Sequence, residues 1–307
     1  MISWARFTLI AGTLASLAAC ESKKDKDRAL LTGLQRRENR LESRLAQADK
    51  RSDDVPVAKW IMPENLKEIS GIAVTADGRL LAHDDELSRI FEIDPRRGVI
   101  VKSFLFGNGL RGDFEGITIA GQNIWVIKSN GKLYTFHEGE NGTRVPYTSF
   151  DTKLGKECEF EGIAYQADSS WLVLPCKNAR GKGLDDEFVI YRWRIGSDAS
   201  TGITKLEIPL SEVVGNNKWK RFRASDITID PETGDYVIIS SLEHGLIVMR
   251  PDGEIIDSRS LPGKHHQAEG VAITKDSVLI ISDEASSKPP AITLYRWRRL
   301  EKGDDNK

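Results

Sequence analysis

From residue 57 onward the chain alternates short apolar runs with turn-forming Gly, Asp, Asn and Pro, and one phrase recurs along it. It appears as Ile69-Ser70-Gly71-Ile72-Ala73-Val74, Phe114-Glu115-Gly116-Ile117-Thr118-Ile119 and Phe160-Glu161-Gly162-Ile163-Ala164-Tyr165. It returns as Ala224-Ser225-Asp226-Ile227-Thr228-Ile229 and Ala268-Glu269-Gly270-Val271-Ala272-Ile273. Residues 71, 116, 162, 226 and 270 are equivalent, at spacings of 45, 46, 64 and 44. After each phrase comes a turn such as Ala76-Asp77-Gly78, a second β-rich run such as Tyr236–Ile239, and an alternating third such as Arg89–Ile93. A fourth follows at Val99–Phe104, Thr204–Pro209 and Glu254–Leu261. Apolar runs of strand length bounded by turn residues predict an all-β fold. Four strands per repeat of about 45 residues are a propeller blade. The pattern predicts a five-bladed β-propeller over residues 56–300, with the excess of the 64-residue interval in polar loops at 178–187, 196–201 and 211–223. Six blades is the alternative if that excess is structured. The last repeat stops after Trp297 without a fourth strand, so Val57–Ile61 is expected to supply it and close the ring.

The N-terminus has a different pattern. Arg6 is the only charged residue up to position 19, and Phe7–Ala19 carries none, a length that suits a secretory signal and is short for a spanning helix. It ends in Leu17-Ala18-Ala19-Cys20, which resembles the lipobox of bacterial lipoproteins. That resemblance implies cleavage of residues 1–19, diacylglycerol on the Cys20 thiol, and anchoring at a membrane rather than across it. Glu21, not Asp, follows the cysteine, which favours an outer-membrane anchor facing the periplasm. Residues 20–55 then form a polar spacer in which Leu31, Leu34, Glu38, Leu41, Leu45 and Ala48 fall on three- and four-residue steps. A helix is predicted, either as a solvated spacer holding the body off the lipid or as a short coiled-coil stalk, so the oligomeric state stays open. Residues 301–307 read as a disordered tail.

Composition adds little beyond exclusions. The 44 Lys+Arg nearly balance 46 Asp+Glu, which gives no general attraction to nucleic acid, and no partner of that kind is expected. No run of about 20 apolar residues exists to span a membrane. Of three cysteines, Cys158 precedes a first strand and Cys176 follows its antiparallel partner. Both fall at one end of blade three, so a disulfide is expected in an oxidising periplasm, with two free thiols as the alternative.

The Glu-Gly-Ile phrases, the run Cys158-Glu159-Phe160-Glu161-Gly162 and the later Gln267-Ala268-Glu269-Gly270-Val271 resemble the SdiA-regulated family of YjiK-like β-propellers over roughly Trp60–Trp297. The resemblance implies a five-bladed propeller with a calcium site and no established activity. Ser70 and Ser225 stand where the other three repeats carry Glu, so an inherited site would draw on three blades plus Asp226.

In a propeller the first strand of each blade lines the central channel. Glu115, Glu161 and Glu269 should therefore converge at one mouth, with Asp226 one position away. Converging carboxylates repel unless a cation or protons intervene, and oxygen donors suit Ca²⁺ before Mg²⁺. The alternative is that each Glu serves its own turn. Of the acids past the second strands (Asp84, Asp85, Glu86, Glu243, Asp283 and Glu284), most read as solvated loop acids, with Glu243 and Asp283 the exceptions expected to line the rim of the same mouth. His265-His266 reads as a surface loop pair.

Two functions follow. The first is a lipid-anchored, periplasm-facing, calcium-binding propeller that engages an envelope protein or small ligand. The second is a metal-dependent hydrolase, phosphoesterase- or lactonase-like, using a central cation. The sequence supplies no Gly-x-Ser-x-Gly elbow, His-Glu-x-x-His or P-loop.

Overall fold

The structure, a computed structural model, describes residues 8–48, 52–181, 183–198 and 201–299, with side chains of the first helix from residue 23 on. Residues 1–7 of the expected signal, the Cys20 side chain and the expected tail 301–307 lie outside the described residues.

Five antiparallel sheets form a five-bladed β-propeller. Blade one runs outward from Ile69–Val74 through Leu80–Asp84 and Arg89–Asp94 to Val99–Phe106, with Arg144–Val145 added in parallel at its edge. Blade two holds Phe114–Ala120, Asn123–Lys128, Lys132–His137 and Tyr147–Asp151. In blade three the inner strand is split into Cys158–Phe160 and Ala164–Gln166, followed by Trp171–Ala179, Glu187–Arg194 and Ile203–Pro209. Blade four is Asp226–Ile229, Tyr236–Ser240, Gly245–Met249 and Ile255–Ser260. Blade five takes Ala268–Ile273, Val278–Asp283 and Ala291–Arg296 from the C-terminal end of the chain. Its outer strand is Ala58–Ile61, paired antiparallel with Ala291–Arg296 from Ala58 opposite Leu294 to Ile61 opposite Ala291. The ring therefore closes as the missing fourth strand predicts. The long interval holds no sixth blade: it is taken up by a lengthened second strand, loops and the short helix Leu210–Val214.

The middle strands are apolar on both faces because each blade is sandwiched between two others. Leu80, Ala82 and Phe91 join the core against blade five, while their neighbours Leu81 and Ile90 join the core against blade two. The same division of adjacent residues, Val237 and Ile239 to one side and Tyr236 and Ile238 to the other, serves blade four. Period-two alternation thus feeds two interfaces at once, and five apolar clusters fill the five gaps between blades.

The N-terminal helix α1 (Thr8–Ala48) does not hold the body at a distance. Leu41 and Ala48 are buried in the core between blades five and one, with Leu45 packed against it. Arg97 pairs with Glu38 at 2.9 Å, and Arg44 donates to the Val57 carbonyl at 3.2 Å. The seam expected to face solvent or a second helix is used, in its C-terminal half, on the propeller itself. An amphipathic stripe specifies an apolar partner, and the seam beside the closing strand supplies one. Further along α1, Leu30 and Leu31 stay exposed. A cavity beside α1 is lined by Leu41 and Leu45 together with Val74–Gly78, Pro95-Arg96 and Thr274–Asp276, at the channel end where inner strands finish. No described helix is long and apolar enough to cross a membrane.

Candidate metal centre at the channel mouth

The Glu-Gly phrase is a bulge followed by a close approach. In blades one, two and five the pairing of the inner strand slips between Ile69 and Ile72, Phe114 and Gly116, and Ala268 and Gly270. Glu115 and Glu269 are the extra residues at two of these slips. In blade three Glu161 lies in the gap that splits the inner strand. A bulge re-aims the side chain it carries, here at the end where the inner strands begin. The residues that follow bring neighbouring inner strands into close contact around the axis. A Cβ on Gly116 would lie 2.8 Å from Gly162 Cα, and one on Gly162 would lie 2.9 Å from Asp226 Cα. Only glycine lets backbones approach this closely. Within blade one the Gly71 amide donates to His83 Nε2 at 2.9 Å, and burial lowers the imidazole to about 4, so the ring is a neutral acceptor.

The four predicted ligands share this mouth. Burial pushes the Glu115 carboxyl far above the usual range, reinforced by Glu161 and Asp113. Burial also raises Glu161, against the lowering effect of Lys177, whose ammonium lies 2.8 Å from Glu161 Oε1. Glu269 is pushed up to about 7, by burial first and then by Glu161. Asp226, in regular register at the glycine position of blade four, is 1% exposed. Its Oδ2 accepts the Val271 amide at 2.8 Å, the Ile227 and Ile72 amides also favour its charged form, and its buried Oδ1 makes no hydrogen bond of good geometry. Burial holds this carboxyl well above its ordinary value.

These four do not form a ready coordination sphere. Among the described residues, the one group of three donors within 4.8 Å of one another is Glu68, Asp85 and Glu284. Glu68 and Asp85 come from blade one, where the Asp85 amide bonds to the Glu68 carbonyl, and Glu284 crosses the seam from blade five. Burial raises Asp85 to about 6 and pushes Glu284 up, the latter reinforced by Glu68, Glu269 and Asp85. Gln267 donates to Glu284 and also bonds Glu269, joining this cluster to the axial carboxyls. Asp85 and Glu284 stand among the acids past the second strands, expected to be solvated, and Glu68 was missed. Its one signal was its place just before the first repeat phrase.

The preferred rim ligands are committed elsewhere. Glu243 accepts from the Arg223 guanidinium at 2.7 Å, from its amide at 2.9 Å and from Ser240 at 2.5 Å. Asp283 accepts from the His266 amide at 3.0 Å and bonds His265 Nδ1 at 2.9 Å, and His265 Nε2 meets the Tyr295 hydroxyl at 2.9 Å. The loop expectation holds for the backbone, but the His265 side chain is buried between two strands of blade five, whereas His266 is exposed. Asp84 caps its own turn, accepting the Leu87 amide at 2.8 Å. The expected disulfide joins Cys158 and Cys176, with Cα atoms 5.6 Å apart.

The donors at this mouth suit a calcium ion, which the family resemblance implies, in kind, and among the described residues Glu68, Asp85 and Glu284 already stand close enough to share one. All donors are hard oxygens, two buried carboxylate oxygens (Asp85 Oδ1 and Asp226 Oδ1) lack a hydrogen-bond partner, and the mutual repulsion of the acids is what a divalent cation relieves.

No family model and no curated protein matches the chain. Structures of similar shape include virginiamycin B lyase from Staphylococcus aureus, at 14% identity and a TM-score of 0.43, covering 78% of this chain and 73% of that one. Myxococcus xanthus glutaminyl cyclase matches at 11% identity and a TM-score of 0.48 over 78% of this chain and 94% of that one. A luciferin-regenerating enzyme matches at 12% and 0.45 over 79% and 93%. Likeness this distant says nothing about function.

Proposed function

We propose that this is a lipid-anchored, calcium-binding propeller of the bacterial envelope that presents its acidic mouth to an envelope protein or small ligand. One observation carries the reading: Glu115 and Glu269 each feel the charge of Glu161, and Glu269 acts in turn on the buried Asp226, whose Oδ1 makes no hydrogen bond of good geometry. Glu68, Asp85 and Glu284 offer a neighbouring seat on the same mouth. The ion would neutralise these carboxyls and leave positions for a ligand. Resemblance to the YjiK-like family supports the same assignment. Because α1 docks on the opposite end of the channel, a diacylglycerol on Cys20 leaves the mouth directed away from the anchoring helix. Cys20 precedes the docked Leu41 by about 30 Å of helix.

Calorimetry with calcium chloride tests the ion. The triple variant E115Q/E161Q/E269Q should lose binding; if it binds like the parent and E68Q/E284Q does not, the ion belongs to the seam. Binding unchanged in both removes the site. Loss of radiolabelled palmitate incorporation in C20S, with an outer-membrane fraction for the parent, tests the anchor.

The alternative reading is a metal-dependent hydrolase, in which one carboxyl of this mouth acts as general base. Calcium-dependent turnover of a phosphodiester, phosphomonoester or lactone, lost in E269Q, would favour it over binding.

A further inference from the structure

The axial carboxyls already have a cation. Lys177 projects from Trp171–Ala179, the second strand of blade three, one residue past the Cys158–Cys176 disulfide. The disulfide ties that strand to the inner strand carrying Glu159, close to Glu161. Glu159 has partners of its own in Asn178, at 3.1 Å, and Arg180, at 3.3 Å. Lys177 is left to pair with Glu161 at 2.8 Å, and its charge also acts on Glu115 and Glu269. The side chain is 25% exposed, against 9% for Glu161, so its ammonium reaches the basin from the solvent side.

We propose that Lys177 is a tethered counter-ion that competes with the metal for the Glu115/Glu161/Glu269 basin and so sets its cation affinity, an inference that rests on the calcium reading above. A divalent ion and an ammonium cannot share Glu161 Oε1 without like-charge repulsion in a partly desolvated site. Four methylenes allow the ammonium to swing toward water, whereas Glu161 is held on the backbone where the inner strand is split. Calcium binding therefore releases Lys177 to solvent. Lys177 limits weak, adventitious cation binding and couples the filling of the basin to the appearance of a free ammonium at the mouth.

Two measurements decide this. By calorimetry, K177M should bind calcium chloride about tenfold or more tightly than the parent, equivalent to roughly 1.4 kcal/mol. On the unmodified protein, acetylation of Lys177 by an N-hydroxysuccinimide ester, read by peptide mass spectrometry, should rise several-fold with saturating calcium. Lys153, with 78% of its side chain exposed, serves as an internal reference. Equal or weaker affinity in K177M, with calcium-independent labelling, overturns the proposal and leaves the calcium reading standing. No calcium binding by either protein overturns the calcium reading and this proposal with it. If K177M does not fold, the labelling of the parent decides alone.

Discussion

The channel axis makes the most stringent prediction. Gly116 lies on the inner strand of blade two, and an added Cβ would stand 2.8 Å from both Gly162 Cα and Ile163 N, and 2.9 Å from Gly162 C. All three are backbone atoms of blade three, so no side chain can rotate out of the way. The two inner strands would have to part by roughly half an ångström, against a ring in which Gly71, Gly162 and Gly270 make similarly close approaches. At an unconstrained strand position, alanine would be about 0.5–1 kcal/mol better than glycine. Here over-packing of a rigid site reverses the sign, and Gly116→Ala is expected to cost about 2–3 kcal/mol. For a body of this size that lowers the melting temperature by ~4–12 °C. Circular-dichroism melts of the parent, Gly116→Ala and Gly33→Ala provide the comparison. Gly33 lies in α1, where an added methyl would meet nothing within 4 Å, so its variant should show no loss. A Gly116→Ala melt equal to the parent would mean that the inner strands do not touch and that the repeat glycines have another cause.

Leu41→Ala should cost about 2–4 kcal/mol and speed proteolysis in the segment between α1 and the closing strand, because Leu41 is 4% exposed against the blade five–blade one core; unchanged cleavage would show that the helix is not docked. Cys158→Ser should destabilise by about 3 kcal/mol through loss of an 18-residue loop constraint, read by denaturant titration, with a parent under reductant behaving alike. The Glu269 carboxyl, raised from 4.5 to about 7, binds a proton in the folded state that the unfolded chain has released. Stability therefore falls as pH rises from about 4.5 to about 7, and burial gives Glu115, Glu161 and Glu284 the same sign. Calcium should raise the melting temperature more at pH 8 than at pH 5, and an equal rise at both would refute the link between the ion and these carboxyls.

The candidate site was half legible. Repeat position alone placed Glu115, Glu161, Asp226 and Glu269 at one mouth, since equivalent residues of a cyclic repeat must surround one axis. Repeat position could not distinguish an open acid from a committed one. Glu243 lies just past a second strand and Asp283 ends one, but Arg223 and His265, which occupy them, come from the loops that lead into blades four and five, outside the repeated phrase. Nor could it show Lys177 among the glutamates, because that ion pair joins a strand end to the split in its neighbouring strand.

By itself the sequence determined the blade count and the closing strand. Each follows from information repeated locally: a period and an apolar alternation. Tertiary structure alone decided which carboxyls meet across the closing seam and where α1 lies. Glu68 and Glu284 are close only because the first and last blades join, and ring closure depends on the accumulated twist of five sheets rather than on any local phrase. The leucine stripe of α1 specified burial without specifying its partner, and the surface beside the closing strand supplied that partner.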